Sequence, residues 1–331
     1  MRLEMIPFTN EHLDEAAKLL AARHTANRAA TPALPARFQD PTVARTALEM
    51  AWQQPGASGV VALHAENLIG YMIGEPQVTH YRGRTIWIKQ PNHAVDAEYS
   101  PELYRDLYAA LSPHWIEQGY FDHCALILAT DRPTLDAWFA LSFGQEQAYG
   151  IREVAQPPEL PAPDPSLRIR RASIDDLDAL LKVGDVVMRH QSRSPVYSPL
   201  LPEDPVRLRE GYQEVLNDPK SMVWLALRDD RVIAFQLLSP GESSPNDMLT
   251  PENCIHLELA ATHADEQGRG IGRALQAHTM HWAHEEGYQY CLADWRVTNL
   301  LSSRFWPRQG FRPTLYRLSR RLDERIAWAK G

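Results

Sequence analysis

Apolar positions along the second half of the chain alternate between two spacings, one typical of strands and one typical of helices. The run "MVWLALRDDRVIAFQLLS", residues 222–239, places two apolar stretches around the polar turn Asp229-Asp230-Arg231, which predicts a β-hairpin. The run "CIHLELAAT", residues 254–262, predicts a further strand. This stretch of the chain therefore begins with three consecutive predicted strands.

The residues that follow change to helical spacing. Ile271, Leu275, His278 and Trp282 fall on one face of a predicted helix, which Gly287 ends. Another strand ("YCLADWR"), a helix ("NLLSSRFWPRQ") and a last strand ("GFRPTLYRLSR") complete the pattern. Such alternation of strands and helices predicts an α/β fold.

The first half of the chain repeats this plan. The segments that begin at Leu3 and Leu167 resemble each other, as do those at Val61 and Leu225, and both pairs are separated by the same 164 positions. Between the halves, "AQPPELPAPDPS" carries five prolines, and this density favours an extended linker. We predict a duplicated chain with domains at 1–154 and 167–331, joined by a linker at 155–166.

Composition narrows the possible functions. The 331 residues are 44% hydrophobic and 23% charged, which is ordinary for a globular protein, and the formal net charge is −8. Because no surplus of Lys and Arg is present to neutralise phosphates, nucleic acid is an improbable partner. No apolar run is long enough for a membrane span, and three scattered cysteines suit a reducing compartment. We expect a cytoplasmic protein without a membrane partner.

The segment "EQGRGIGRAL", residues 266–275, joins a predicted strand to a predicted helix through a glycine-rich loop. It is not a P-loop, because no Gly-Lys-Ser/Thr follows, and Arg273 stands where a dinucleotide fingerprint needs its third glycine. The pattern Gln267-x-x-Gly270-x-Gly272 remains. The N–H groups and the dipole of a helix start at this loop would favour a pyrophosphate.

These residues resemble the GNAT superfamily of acetyl-coenzyme A-dependent N-acyltransferases. "QGRGIG" matches the Q/R-x-x-G-x-G/A signature of that family, and Asn299 opens a helix that ends in Gly310-Phe311, as in the family. The resemblance is strong over 167–320 and weaker over 1–154. It implies an α/β (α+β) fold of two tandem GNAT-like domains, each a mixed, mostly antiparallel sheet flanked by helices.

The resemblance also implies a reaction. Acetyl-CoA would be the co-substrate, and the primary amine of a small molecule or peptide would attack it directly. The alternative is a non-catalytic acyl-CoA-binding or regulatory module. Oligomeric state stays open between a monomer and a homodimer.

By the same resemblance, residues of the second half acquire roles. The N–H of Ala260 would face the acetyl carbonyl, Thr262 would pair with the pantetheine arm, and Asn299 would bind that arm further along, although Asn299 is equally typical of a helix N-cap. The loop would bind the cofactor through Gln267, Gly268, Arg269, Gly270, Ile271, Gly272 and Arg273.

Two side chains are candidates for the general base. His256 occupies the base position of some GNAT branches, and Glu258 shares its strand face because strand side chains alternate. Either could accept the amine proton, directly or through water, and a neutral imidazole suits pH 7 better.

One position departs from the family pattern. Trp306 stands where many GNAT enzymes have a tyrosine that protonates the leaving thiolate, and an indole cannot supply that proton. Three explanations remain open: the thiolate leaves unaided, another residue such as Tyr316 protonates it, or the domain binds without turnover.

The first half departs further. Its equivalent segment, "TIWIKQPNHAVDAEYSPELYRDLYAAL", has no glycine, and Val95 and Tyr99 would crowd a pyrophosphate. Asp96, Glu98 and Glu102 would repel it. We predict that this half has lost the cofactor.

For two further groups of side chains, the sequence predicts no functional site. His278, His281 and His284 spread around a helix rather than converge, so we predict no metal site. Arg189, Arg193 and Tyr197, in the irregular segment 188–208, are interpreted as ordinary surface residues.

Overall fold

The computed structural model describes residues 3–160 and 164–329. The strands in this part of the chain are β1 (Glu4–Pro7), β2 (Ser58–His64), β3 (Asn67–Thr79), β4 (Gly83–Ile88), β5 (His93–Val95), β6 (Asp122–Leu128), β7 (Gly144–Glu153), β8 (Arg168–Arg171), β9 (Met222–Arg228), β10 (Arg231–Pro240), β11 (Cys254–Thr262), β12 (Tyr290–Arg296) and β13 (Arg312–Arg321). The helices are α1 (Leu13–Ala30), α2 (Pro41–Trp52), α3 (Leu103–Glu117), α4 (Arg132–Ala140), α5 (Leu177–Gln191), α6 (Asp204–Asn217), α7 (Ile271–Glu285) and α8 (Ser302–Arg308).

The chain forms two compact units that interleave along the sequence. The first unit contains the described residues up to Ala148, the segment Ser243–Pro251 and the residues from Pro313 onward. The second unit contains Tyr149–Glu242 and Glu252–Arg312. The division at 155–166 remains a proposal about the sequence repeat, and residues 161–163 of that linker lie outside the described residues.

The first unit has the strand order β1-β2-β3-β4-β6-β13. Neighbouring strands are antiparallel except for β4 and β6, which run parallel and pair Thr85–Ile88 with Asp122–Ala125. β13 completes this sheet at β6, where Leu315 lies opposite Leu128. The last strand of the chain thus belongs to the first unit.

The second unit has the matching order β8-β9-β10-β11-β12-β7. Here β11 and β12 are the parallel pair, and the other pairs from β8 to β11 are antiparallel. β7 lies beside β12 and packs closely, because a Cβ added at Gly150 would lie 2.7 Å from the ring of Trp295. Each unit is therefore a mixed, mostly antiparallel sheet whose last strand comes from the other half of the sequence.

Helices cover both faces of each sheet. In the first unit, one apolar cluster packs α3 and α4 on the sheet, and another packs α1 and α2. Met248, from the loop between β10 and β11, is 4% exposed within the latter cluster. In the second unit, Phe235 and Leu237 point towards α5 and α6, whereas Ala234 packs with Ile271 and Leu275 of α7.

Local features agree with the sequence-based predictions. The turn of the β9–β10 hairpin has positive φ at Asp229 and Asp230, 49° and 59°, as two-residue hairpin turns require. α7 begins at Ile271 and ends before Gly287, whose φ is 83°. Among the described residues, no helix combines the length and the apolar composition needed to cross a membrane.

Candidate active site

The site begins where two parallel strands separate. β11 pairs with β12 only from Cys254–Leu257 against Tyr290–Ala293. Beyond this point β11 continues along β10 as far as Thr262, and β12 continues to Arg296. Within the described residues, the edge of β11 that faces β12 therefore has no ladder partner over residues 258–262. The backbone groups of this edge can pair with an extended ligand.

A β-bulge lies at the point of separation. Leu237 pairs with Leu259 and Leu238 with Leu257, so Glu258 is the extra residue of β11. A bulge interrupts the ladder and redirects side chains, and bulges are common beside active sites. The carboxylate of Glu258 accepts a hydrogen bond from the Ser239 hydroxyl.

His256 lies beside the bulge and directly opposite Ser239. Its side chain is 36% exposed, and Nε2 lies 3.7 Å from Oδ1 of Asp294 on β12. His256 and Glu258, predicted as alternative bases, are thus both next to Ser239. Asp294 is a third ionisable group at this point, and the sequence analysis did not select it.

Ala260 and Thr262 lie on the part of β11 that pairs with β10 but extends beyond the ladder with β12. They stand opposite Gln236 and Ala234 on β10. Gln236 is hydrogen-bonded to Gln276 and Thr279, so this face of the sheet is covered by α7. Both residues therefore belong to the stretch whose β12-facing backbone edge is open.

The glycine loop follows directly. Gly268 and Gly270 have φ of 78° and 81°, and a Cβ added at either would meet nothing within 4 Å. The glycines are thus required by the backbone conformation and leave open space beside it. Gln267 reaches back to donate from Nε2 to the carbonyl of Thr262 at 3.2 Å, which links the loop to the end of β11.

The start of α7 provides donors without an internal acceptor. Gly270 is the N-cap and has no side-chain cap, and the backbone N–H of Ala274 is the first to bond within the helix, to Gly270 O at 2.9 Å. The N–H groups of Ile271, Gly272 and Arg273 precede that bond, as at any helix start. This end of the helix also carries the positive end of the dipole, which favours an anion.

The charged side chains around the glycine loop comprise a buried carboxylate paired with arginines and two exposed arginines. Glu266 is buried and accepts hydrogen bonds from Arg228 and, at 3.5 Å, from Arg269. Its negative charge is thus balanced at the base of the loop. The side chain of Arg269 remains 61% exposed, and Arg273 is also exposed.

Asn299 has the N-cap geometry that the sequence allowed. Its Oδ1 accepts from the N–H groups of Leu301 and Ser302 at 3.1 and 3.3 Å. The same oxygen accepts from Nε2 of His190 at 3.0 Å, at the end of α5. Nδ2 takes no part in the cap. His190 is a second residue missed by the sequence analysis, because the two residues are 109 positions apart.

Three other side chains named from the sequence pack against aromatic or apolar neighbours. Trp306 is 6% exposed and packs against the rings of Phe305 and Phe311, so it is a core residue. Tyr316 lies on β13 and packs against the core of the first unit. His278 packs edge-on against Trp224, and burial lowers its pKa. Across residues 3–160 and 164–329, no group of three or more potential ligand side chains could hold a metal ion.

The first unit has polar side chains at the equivalent separation. β4 and β6 also cease to pair, after Ile88 and Ala125. The carbonyl of the next residue of β6, Leu126, accepts from Nε2 of Gln90 at 2.6 Å and from Nε2 of His93 at 3.3 Å. Both side chains are buried. We call these two residues the polar plug.

Comparison with known proteins agrees with this geometry. Residues 187–311 match the model of the Acetyltransferase (GNAT) family. This segment is therefore a GNAT domain, and it contains the glycine loop, the separated strands and Asn299. A sequence comparison with curated proteins finds no match.

Solved structures extend the likeness to nearly the whole chain. A GCN5-related N-acetyltransferase from Sphaerobacter thermophilus aligns with TM-score 0.62 and 13% identity over 96% of this chain and 95% of its own. A tandem GNAT protein from the clavulanic acid biosynthesis pathway aligns with TM-score 0.52 and 12% identity over 97% and 98%. A glucosamine N-acetyltransferase region of a fungal multi-domain enzyme gives 0.58 and 17%, over 96% of this chain and 38% of that one. These similarities show the fold, and the tandem arrangement fits it.

Proposed function

We propose that the second unit transfers an acetyl group from acetyl-CoA to a primary amine. The observation that carries this proposal is the adjacency of an unpaired strand edge, residues 258–262, and an uncapped helix start led by Gly270. One binds an extended amide-containing arm, and the other binds a pyrophosphate. Acetyl-CoA carries both groups and supplies an activated thioester.

The chain's own residues then have separable roles. The N–H groups of the loop and of the first turn, residues 267–273, bind the pyrophosphate. Backbone groups of Ala260 and Thr262 bind the arm, and the N–H of Ala260 stabilises the oxyanion. Asn299 offers its Nδ2 to the arm, while its Oδ1 caps α8.

The acceptor would approach the point where β11 and β12 separate. His256 and Glu258 lie at this point, and either would take the proton that the amine loses when it attacks. The acceptor is an amine of a small molecule or peptide, and the protein is a cytoplasmic monomer or homodimer. The polar plug supports the proposal that the first unit has no cofactor site.

The first test is a calorimetric titration of acetyl-CoA into the intact protein and into Gly270→Glu. Wild-type protein should bind one acetyl-CoA per chain, and the variant should bind at least about 100-fold more weakly, because a carboxylate opposes the phosphates at the helix start. Gly287→Glu is the matched control, since Gly287 has a similar φ and open surroundings at the other end of α7. No wild-type binding at about 1 mM would refute the proposal.

The alternative is a non-catalytic acyl-CoA-binding module. It is favoured by Trp306, which is packed in the core and gives the site no proton donor at that position. Thiol release from acetyl-CoA in an amine screen separates the two functions. An enzyme should lose most of its rate in the variant His256→Ala with Glu258→Ala and keep its affinity for acetyl-CoA, whereas a binding module should release no thiol with any amine.

A further inference from the structure

Asp294 is positioned by the same strand separation as the candidate bases. In the parallel ladder His256 pairs with Leu292, and Asp294 is two residues further along β12, on the same face of the sheet. It is also the first residue of β12 beyond the last ladder pair, Leu257 with Ala293. Its carboxylate is 25% exposed, and Oδ1 lies 3.7 Å from Nε2 of His256. This distance is typical of an ion pair rather than of a hydrogen bond.

We infer that Asp294 is a positioning residue that makes His256, rather than Glu258, the general base. This inference rests on the proposed acetyl transfer and specifies its proton acceptor. Glu258 is exposed, and its carboxylate is engaged by the Ser239 hydroxyl. The imidazole of His256 is half-buried, and its Nε2 lies 3.7 Å from a carboxylate oxygen of Asp294.

The chemical step balances with these groups alone. The amine nitrogen forms a bond to the acetyl carbonyl carbon, the carbon–sulfur bond breaks, and its electron pair leaves on the thiolate. The proton released by the amine passes to a ring nitrogen of His256, directly or through water. The imidazolium that results is stabilised by the negative carboxylate beside it.

Two carboxylates lie beside His256, and each can be removed separately. From β12 it faces Asp294, from its own strand the neighbouring ionisable group is Glu258, and from β10 it faces Ser239, which does not titrate in the accessible range. On α5, which packs against β11, His190 is hydrogen-bonded to Asn299. Removal of one carboxylate should therefore be visible in the titration of one imidazole.

The test compares the full-length protein with Asp294→Asn. The pH titration of the His256 imidazole is followed by NMR in both proteins and assigned with His256→Gln. The inference requires it to differ between them, because a carboxylate at ion-pair distance favours the protonated ring. Asp178→Asn is the matched control, because Asp178 is 78% exposed on α5 and pairs with Arg209. An unchanged titration in Asp294→Asn would overturn the inference, whether or not the protein acetylates amines.

Kinetics supply the second measurement. In Asp294→Asn, kcat should fall about 10-fold, and the acidic limb of the pH profile of kcat/KM should move to lower pH. The Kd for acetyl-CoA should stay within about twofold of the wild-type value. Glu258→Gln should leave the acidic limb in place. A limb that moves in Glu258→Gln but not in Asp294→Asn would show that Glu258 is the base. If no amine is acetylated by wild-type protein, the proposed function fails, and the NMR titration still tests the ion pair.

Discussion

The two units have the same strand order, yet one is open where the other is filled. In the second unit, β11 stays extended past the separation and leads into a glycine loop. In the first unit, the chain leaves β4 at Ile88, forms one short turn and returns as β5 against β3. The same architecture thus supports an open strand edge in one unit and a closed one in the other.

The two units also differ in the side-chain contact that joins their first helix to the start of their last helix. These helices are α5 and α8 in the second unit, and α1 and α4 in the first. In the second unit, His190 donates to Asn299, the cap of α8. In the first unit, Arg23 of α1 lies 3.9 Å from Asp131, the cap of α4, and also donates to the His93 carbonyl at 2.6 Å. The guanidinium is 8% exposed. A buried cation thus joins the polar plug and helps to hold it in place.

This contrast shows that side-chain hydrogen bonds in the first unit occupy the position that stays open in the second. Gln90 and His93 both donate to the half-buried Leu126 carbonyl, and a hydrogen bond of this kind contributes about 0.5–1.5 kcal/mol.

The largest expected effect comes from separating the two halves of the sequence. Residues 1–154 alone lack β13, and residues 167–331 alone lack β7, so each fragment loses the strand that completes its sheet. We expect neither fragment to give a cooperative thermal transition, and we expect co-expression to restore one. Calorimetry or circular dichroism measures this. Cooperative unfolding of either fragment alone would show that the exchanged strands are dispensable.

Met248 should have the next largest effect. It inserts from the segment Ser243–Pro251 into the α1–α2 cluster of the first unit, and Arg37 holds that segment by donating to Ser244 O at 3.0 Å and Asp247 O at 3.2 Å. Met248→Ala should destabilise the first unit by about 2–4 kcal/mol.

Chemical denaturation of Met248→Ala provides the measurement. Val78→Ala, at a 68% exposed position of the same unit, should change stability by less than about 0.5 kcal/mol. Equal effects of the two variants would mean that the segment is not anchored in this core.

Acid should weaken the first unit through its buried histidines. Burial lowers the pKa of His123 to about 4, and burial with the nearby Arg23 holds the pKa of His93 well below its ordinary value. The unfolded chain binds these protons near pH 6.5, so stability is complete above that value and is lost as the pH falls towards 4. For His123 the loss amounts to about 3 kcal/mol.

The pH dependence can be isolated with a single variant. His123→Gln should flatten the dependence of the unfolding free energy between pH 6.5 and 4, although it also loses the bond between Tyr108 and Nδ1 of His123. His114→Gln, at an exposed position of α3, should leave the slope unchanged. A slope in His123→Gln equal to that of the wild-type protein would show that His123 does not contribute to the acid sensitivity.

The smallest effect is expected from the hydrogen bond between His190 and Asn299 in the second unit. His190→Ala removes the donor to Asn299, a net loss of about 1 kcal/mol, and acetyl-CoA should bind about fivefold more weakly because Nδ2 is less well oriented. Calorimetric titration measures this, with His284→Ala on the exposed face of α7 as the control. Unchanged affinity would place Asn299 outside the cofactor site.

Much of the fold was predictable because its signals are local. The two aspartates at the β9–β10 turn, the apolar face of α7 and the glycines at positive φ are each defined by residues close together in sequence. The family signature in the glycine loop is equally local. Asp294 and His190 were not predictable, because nothing near them in sequence distinguishes them from other polar residues.

The sequence by itself determined the class of fold, the duplication and the placement of the glycine loop between a strand and a helix. The tertiary structure decided which strand completes each sheet, where β11 leaves β12, and that Gln90 and His93 fill the first opening. The reason is physical: periodicity and turn chemistry act over a few residues. Strand exchange and the meeting of His256 with Asp294 depend on pairing between residues that are far apart along the chain.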